Sequence, residues 1–182
     1  MASERDKMLN GEPYDAGDPL LLAARFEARR LTRRLAEIDP GDRDARAALL
    51  RSLLGAVGEG SWVEAPFYCD YGTQIRLGAR VFVNMACVFL DAAPITLGDD
   101  VQVGPAVQLL TSDHPRDARE RAAGIESARP ITIGARAWLG GGVIVLPGLE
   151  IGADAVIGAG SVVTRSIADG VVAAGDPCRP LR

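Results

Sequence analysis

The sequence predicts an all-β core wound as a solenoid of short strands, stacked coil upon coil and preceded by a helical hairpin. Three observations predict it. Aliphatic residues recur at every sixth position through the last two thirds of the chain, and a small residue follows most of them. The composition holds 21 glycines but only 5% aromatic residues, which suits tight repeated turns better than a core built round large rings.

The register is cleanest late in the chain, where Ile133, Leu139, Val145, Ile151, Ile157 and Val163 are evenly spaced. Earlier, Leu77, Val83, Phe89 and Ile95 keep the same spacing, and Leu97, Val103 and Leu109 resume it after a shift of two residues. Glycine follows the aliphatic residue at Gly78, Gly98, Gly104, Gly134, Gly140, Gly152 and Gly158. A second inward position carries Val81, Cys87, Val101, Val107, Ala137, Val143, Ala155 and Ser161. A single strand alternates with period two and a helix repeats near 3.6, so neither produces this spacing. The chain is expected to run a short strand, turn at a residue that tolerates unusual backbone angles, and repeat. A sandwich of short strands is the alternative, but it would not hold one register from Ile133 to Val163.

The first third reads as helical. Asp18 caps a helix with Pro19 at its first position, and Leu22, Phe26, Arg29, Arg30, Arg33 and Leu35 follow on a helical period. Asp39-Pro40-Gly41 ends it, and a second helix is expected from Asp42 to Leu54, stopped by Gly55. Residues 1–58 thus form a helical segment and 59–182 the solenoid, with a loop protruding at about 112–130.

Charge and composition narrow the function. Twenty Lys and Arg against 24 Asp and Glu give a net charge of -4, which offers no basic surface for nucleic acid. No apolar run reaches the roughly 20 residues of a membrane span, and Met1 to Asn10 lacks the apolar stretch of a signal peptide, so a cytoplasmic protein is expected. Cys69, Cys87 and Cys178 are odd in number and far apart, which suits neither a disulfide frame nor a metal knuckle; they read as reduced and buried. His114 is the one histidine, and it stands where the register breaks, at the head of a polar excursion from Ser112 to about Pro130. Loops held by a rigid scaffold commonly carry reactive groups, and imidazole accepts a proton near neutral pH.

The six-residue units resemble the hexapeptide-repeat family, whose chains wind into a single-stranded left-handed β-helix of triangular section. More narrowly, the chain resembles the maltose and galactoside O-acetyltransferases from Lys7-Met8 and Gly11-Glu12-Pro13-Tyr14 to Pro177-Cys178-Arg179. The resemblance is carried by Cys69-Asp70-Tyr71-Gly72, Val83-Asn84-Met85-Ala86-Cys87, Thr111-Ser112-Asp113-His114-Pro115, Trp138-Leu139-Gly140-Gly141 and Gly158-Ala159-Gly160-Ser161. It implies direct transfer of acetyl from acetyl-CoA to a hydroxyl of a sugar such as maltose, glucose or a galactoside, with His114 as general base and no metal. A same-fold enzyme for an amino-acid, antibiotic or glycolipid-precursor acceptor is the alternative, with a non-catalytic trimeric scaffold behind it.

The resemblance also implies site residues. Asp70, Asn84 and Asp91 would line the acceptor pocket, and Asp15, or Asp18 in its place, would close it. For Asn84 and Asp91, turn chemistry at the coil corners is an equal reading. The backbone N–H of Gly141 would meet the oxyanion; relatives often carry serine there, so this chain keeps the N–H and lacks the hydroxyl. Trp138, Gly142, Ala159 and Thr164 would flank the cofactor's arm, and Arg179 and Arg182 would meet its phosphates. Homotrimers with active sites between subunits are the implied assembly.

Overall fold

The computed structural model describes residues 2–181. From Ala56 onward the chain winds into a left-handed β-helix of about six coils, each laying one short strand on each of three faces. The first face stacks Ala56–Val57, Ile75–Leu77, Ile95–Leu97, Ile131–Ile133 and Glu150–Ile151. The second begins with Trp62–Val63 and continues through Phe82–Val83, Gln102–Val103, Trp138–Leu139, Val156–Ile157 and Val172–Ala174. The third comprises Phe67–Cys69, Cys87–Leu90, Gln108–Leu110, Ile144–Val145 and Val162–Val163. Neighbours within these stacks are parallel.

The two-residue shift in the sequence has a location. Leu77 lies beside Leu97, twenty positions on, whereas Ile133 lies beside Ile151, eighteen positions on. The extra pair falls at the corner between the third and first faces, after Cys69 and again after Phe89. One coil later the same corner releases a far longer insertion, because Leu97 pairs with Ile133 across 36 positions. One edge of the prism therefore gathers every departure from the plain repeat.

The inward columns are those expected from the register. Val83, Phe89, Ile95, Val101, Leu109, Leu139, Val145 and Val163 are fully buried, and so are Ala137, Ala155 and Ser161 at the second inward position. Phe67 and Phe89 meet edge to face, with centroids 5.3 Å apart. Cys69, Cys87 and Cys178 are free and buried.

The glycines do a different job from the expected one. The left-handed turn is made at stacked corner positions held mostly by other residues: Arg80, Asp100, Arg136 and Asp154 at one corner, and Ala86 and Ala106 at the next, with φ from 56° to 62°. Gly98 is instead required by close coil spacing, since a Cβ there would lie 2.7 Å from the backbone nitrogen of Ala135. The first of these corners is laced by two bidentate pairs, Arg80 with Asp100 and Arg136 with Asp154, each at 2.6 and 2.7 Å.

Three helices precede the prism. α1 (Glu4–Leu9) starts at a capping box of Ser3 and Asp6, and α2 (Pro19–Glu37) starts at Asp18, whose carboxylate accepts the N–H groups of Leu20 and Leu21. α3 (Arg43–Leu53) is capped by Asp42. The hairpin of α2 and α3 matches the sequence expectation; α1 was not foreseen. The buried face of α2 is Leu21, Ala28, Thr32 and Leu35, while Phe26 is 60% exposed. α3 closes the open end of the first coil. From it the Arg46 guanidinium, buried over the Trp62 ring at 4.8 Å, donates to the Val63 carbonyl at 3.0 Å. The first strand, Ala56–Val57, begins within residues 1–58 because it already pairs with Ile75–Leu77. Among the described residues no helix is long and apolar enough to cross a membrane.

Gly98→Ala forces a methyl group into the backbone of the next coil, so it should destabilise the protein by about 1–3 kcal/mol. A fall in the urea midpoint measures this, and an unchanged midpoint would contradict the close-spacing role.

Candidate active site

The long insertion leaves the prism as a β-hairpin with its neck locked. Ser112–Asp113 pairs antiparallel with Ile125–Ala128, and the N–H of Arg129 donates to the Thr111 carbonyl at 2.9 Å. The buried Thr111 hydroxyl donates to the Leu90 carbonyl at 2.6 Å and accepts the Ala93 N–H at 3.0 Å, tying the neck to the coil below. The tip carries α4 (Ala118–Ala122), capped by Asp117. A third strand, Tyr14–Asp15, adds to the hairpin's other edge, with Tyr14 opposite Glu126 and Asp15 opposite Ile125. The Tyr14 hydroxyl donates to Glu126 at 2.7 Å; burial first, and then that carboxylate, push its ionisation well above the ordinary range. Met8, Tyr14, Leu21, Tyr71, Ala92 and Ala128 form a second small core beneath this sheet.

His114 sits at the start of this hairpin, exposed. Its N–H donates to Asp113 Oδ1 at 2.9 Å, and among the described residues its imidazole has no hydrogen-bond partner. Asp113 also faces Arg129 at 3.6 Å. Asp15 is exposed on the adjoining strand and accepts the Gly17 N–H at 2.8 Å, so the small sheet brings it into the region of the hairpin. Asp18 is occupied as the cap of α2.

Two expected acceptor carboxylates occupy the corner below the hairpin, with different fates. Asp70 is partly buried; burial raises its carboxyl above the usual range, and Arg25 opposes the rise. Asp91 is 0% exposed, and its two oxygens accept the N–H groups of Asp70, Tyr71 and Gln74 at 2.8 to 3.1 Å. Both oxygens thus bond backbone donors of the coil corner, the turn chemistry that is the other reading of Asp91. Burial is the main cause pushing its carboxyl up to about 6, against the pull of those donors. Because the folded state then holds the proton more tightly than the unfolded chain, the resulting stabilisation is complete below 3.8 and is lost as pH rises through about 6.

Asn84, Gly141, Gly142 and Ala159 gather at another corner, between the second and third faces. Here Val83, Leu139 and Ile157 stack in one column, and the chain turns just after each. Asn84 Oδ1 accepts the Met85 N–H at 2.8 Å, which is local turn chemistry. The N–H groups of Gly140 and Gly142 donate to Ile157 and Pro105, both at 2.8 Å. The N–H of Gly141 between them, and that of Ala159 one coil on, have no acceptor among the described residues. Trp138 lies just before this corner on the second face, 55% exposed. Thr164 follows the third face at its far edge, where it lines a cleft of about 340 Å³ with Leu110, Ser112 and Asp113. Arg179 reaches back to the Thr164 hydroxyl at 3.4 Å. Arg182 lies outside the described residues.

One chain thus presents two groups of site residues on opposite edges of the third face. His114, Asp15, Asp70 and Thr164 stand at one edge; Asn84, Gly141, Gly142 and Ala159 stand at the other. The strand between them spans roughly 15–20 Å at about 3.3 Å per residue. Sequence reasoning missed a further feature near the first edge. A cleft of about 500 Å³ runs between α2 and the third face, lined by Arg29, Arg33, Tyr68 and Asp70 among others. The arginines were visible only as points on a helical period.

Comparison with known proteins agrees with this architecture. Residues 7–58 match the maltose acetyltransferase hexapeptide capping motif, and residues 130–165 match the bacterial transferase hexapeptide repeat. The chain is 41% identical over 143 residues to the galactoside O-acetyltransferase of Escherichia coli K12, covering 79% of this chain and 70% of that one. It superposes on a maltose O-acetyltransferase from Clostridium difficile 630 with a TM-score of 0.97 and 44% identity, covering 100% and 97% of the two chains. It superposes on a galactoside acetyltransferase in complex with coenzyme A with a TM-score of 0.95 and 34% identity, covering 100% and 91%.

Removing Asp91 strands three buried or partly buried N–H donors, so Asp91→Ala should destabilise by roughly 2–5 kcal/mol. The urea midpoint reads the loss. A variant with the parental midpoint and a raised acceptor KM would instead support the acceptor-pocket reading of Asp91.

Proposed function

Because the chain belongs to the maltose and galactoside O-acetyltransferase family of hexapeptide-repeat acyltransferases, we propose that it transfers acetyl from acetyl-CoA directly to a sugar hydroxyl with His114 as general base. The observation that carries this reading is the chain's one histidine, exposed on a hairpin locked to the scaffold and with no hydrogen-bond partner for its imidazole among the described residues. Such a ring is free to meet a substrate hydroxyl.

The chemistry follows from these groups. The imidazole takes the hydroxyl proton as the acceptor oxygen bonds to the thioester carbon. The carbonyl oxygen gains charge, and the unpartnered N–H of Gly141 donates to it. The C–S bond then breaks, and the departing thiolate takes the proton from the imidazolium. No acyl-enzyme is needed, and the buried thiols, raised by burial, are poor nucleophiles.

A base and an oxyanion donor must both lie about 3 Å from the reacting group, yet they occupy opposite edges of one face. We assign the complete site to two chains, His114 from one and Gly141 with Asn84 from its neighbour, in a homotrimer. The outward side chains support this. Apart from Gln108, the third face is lined by Tyr68, Val88, Ile144 and Val162, and apart from Gln102 the second by Trp62, Phe82, Trp138, Val156 and Val172, whereas the first shows Arg76, Thr96, Thr132 and Glu150 after Ala56. Two apolar faces flanking the Gly141 corner suit a closed ring of copies. Acetyl-CoA would run from this corner, with Trp138, Gly142, Ala159 and Thr164 beside its arm and Arg179 and Arg182 toward its phosphates.

His114→Ala should lower turnover by roughly 10²- to 10⁴-fold with an unchanged melting temperature, measured by free-thiol release with maltose as acceptor. Near-normal turnover would refute the base. Dilution to monomers should abolish activity, and an active monomer in sedimentation coupled to assay would refute the shared site.

A further inference from the structure

The cleft beside α2 points to the kind of acceptor the enzyme takes. Arg29 and Arg33 lie one helical turn apart, so both face the cleft that they line with Tyr68, Asp70 and Leu90. Both are exposed, and among the described residues neither has a carboxylate within ion-pair distance, whereas Arg30 on the outward side is paired with Glu27 at 2.6 Å. The Arg33 Nε donates only to the Arg29 carbonyl, at 3.3 Å, which leaves both terminal guanidinium groups available. Two like charges held side by side over a concave surface favour an anion between them.

The cleft also connects to the chemistry. Leu90, on its wall, pairs in register with Leu110 of the next coil. Leu110 lines the neighbouring cleft with Ser112 and Asp113, immediately before His114. Stepping from Leu110 past Leu90 to Asp70 crosses two coils, about 10 Å at the usual strand spacing, which is the length of two linked sugar rings.

From this continuity we infer that the acceptor is an anionic saccharide of at least two units, with its reacting hydroxyl at His114 and a carboxylate, phosphate or sulfate between Arg29 and Arg33. This rests on the acetyltransferase reading for the position of the hydroxyl, but the anion site itself does not need turnover.

Calorimetric titration without acetyl-CoA tests the site, using maltose, a maltose phosphate and a maltose carrying a uronic acid. The protein should bind both anionic forms about tenfold more tightly than maltose, and the preference should shrink as salt is raised. The double variant Arg29→Gln/Arg33→Gln should lose that preference while melting as the parent does. Equal affinity for neutral and anionic forms, or a preference kept in the double variant, overturns the proposal. So does a double variant that binds acetyl-CoA more weakly and the saccharides unchanged, since the arginines would then serve the cofactor's phosphates. If His114→Ala retains turnover but the double variant still loses anion binding, the base assignment fails and the anion site stands.

Discussion

Everything in this molecule depends on parallel stacking of one coil upon the last. A coil alone buries nothing and satisfies few of its own backbone groups. Placed on a neighbour, it pairs its strands and drops its inward aliphatic residues into the same column as the coil below. The requirement is severe, because backbones at the corners approach so closely that Gly98 has no room for a side chain. The open end is a liability for the same reason. Arg46 answers it from α3, offering a guanidinium to the unpaired Val63 carbonyl and a flat surface to Trp62.

A scaffold so regular confines function to its irregularities. The corner between the third and first faces tolerates two extra residues, then two more, then the whole hairpin that carries His114. The carboxylate of Asp91 stabilises the enlarged corner by collecting the donors that the wider turn leaves free.

The sequence displays what is periodic and local. The columns from Leu77 to Val163 were legible because every coil repeats the same inward demand, and Asp18 with Pro19 marked the start of α2 because capping needs only neighbouring residues. His114 was legible as the residue at which the register fails. The pairing of Tyr14–Asp15 with Ile125–Ala128 was not, because nothing local ties residues more than a hundred positions apart. Nor was the burial of Asp91, which depends on the preceding coil's N–H groups pointing inward at its oxygens. The glycines misled in part: those beside each aliphatic residue signal spacing between coils, while the left-handed turns are made by alanine, arginine and aspartate together with other glycines such as Gly142 and Gly160.

The small antiparallel sheet has a consequence for how this enzyme would respond to change. Its middle strand belongs to the hairpin that carries His114, and its outer strand belongs to the first fifteen residues of the chain. The imidazole's aim is therefore set from the amino terminus as well as from the prism, through Tyr14 and Glu126. Changes in that opening segment outside Asp15 would therefore shift the seating of the hairpin while the rigid body stays as it is.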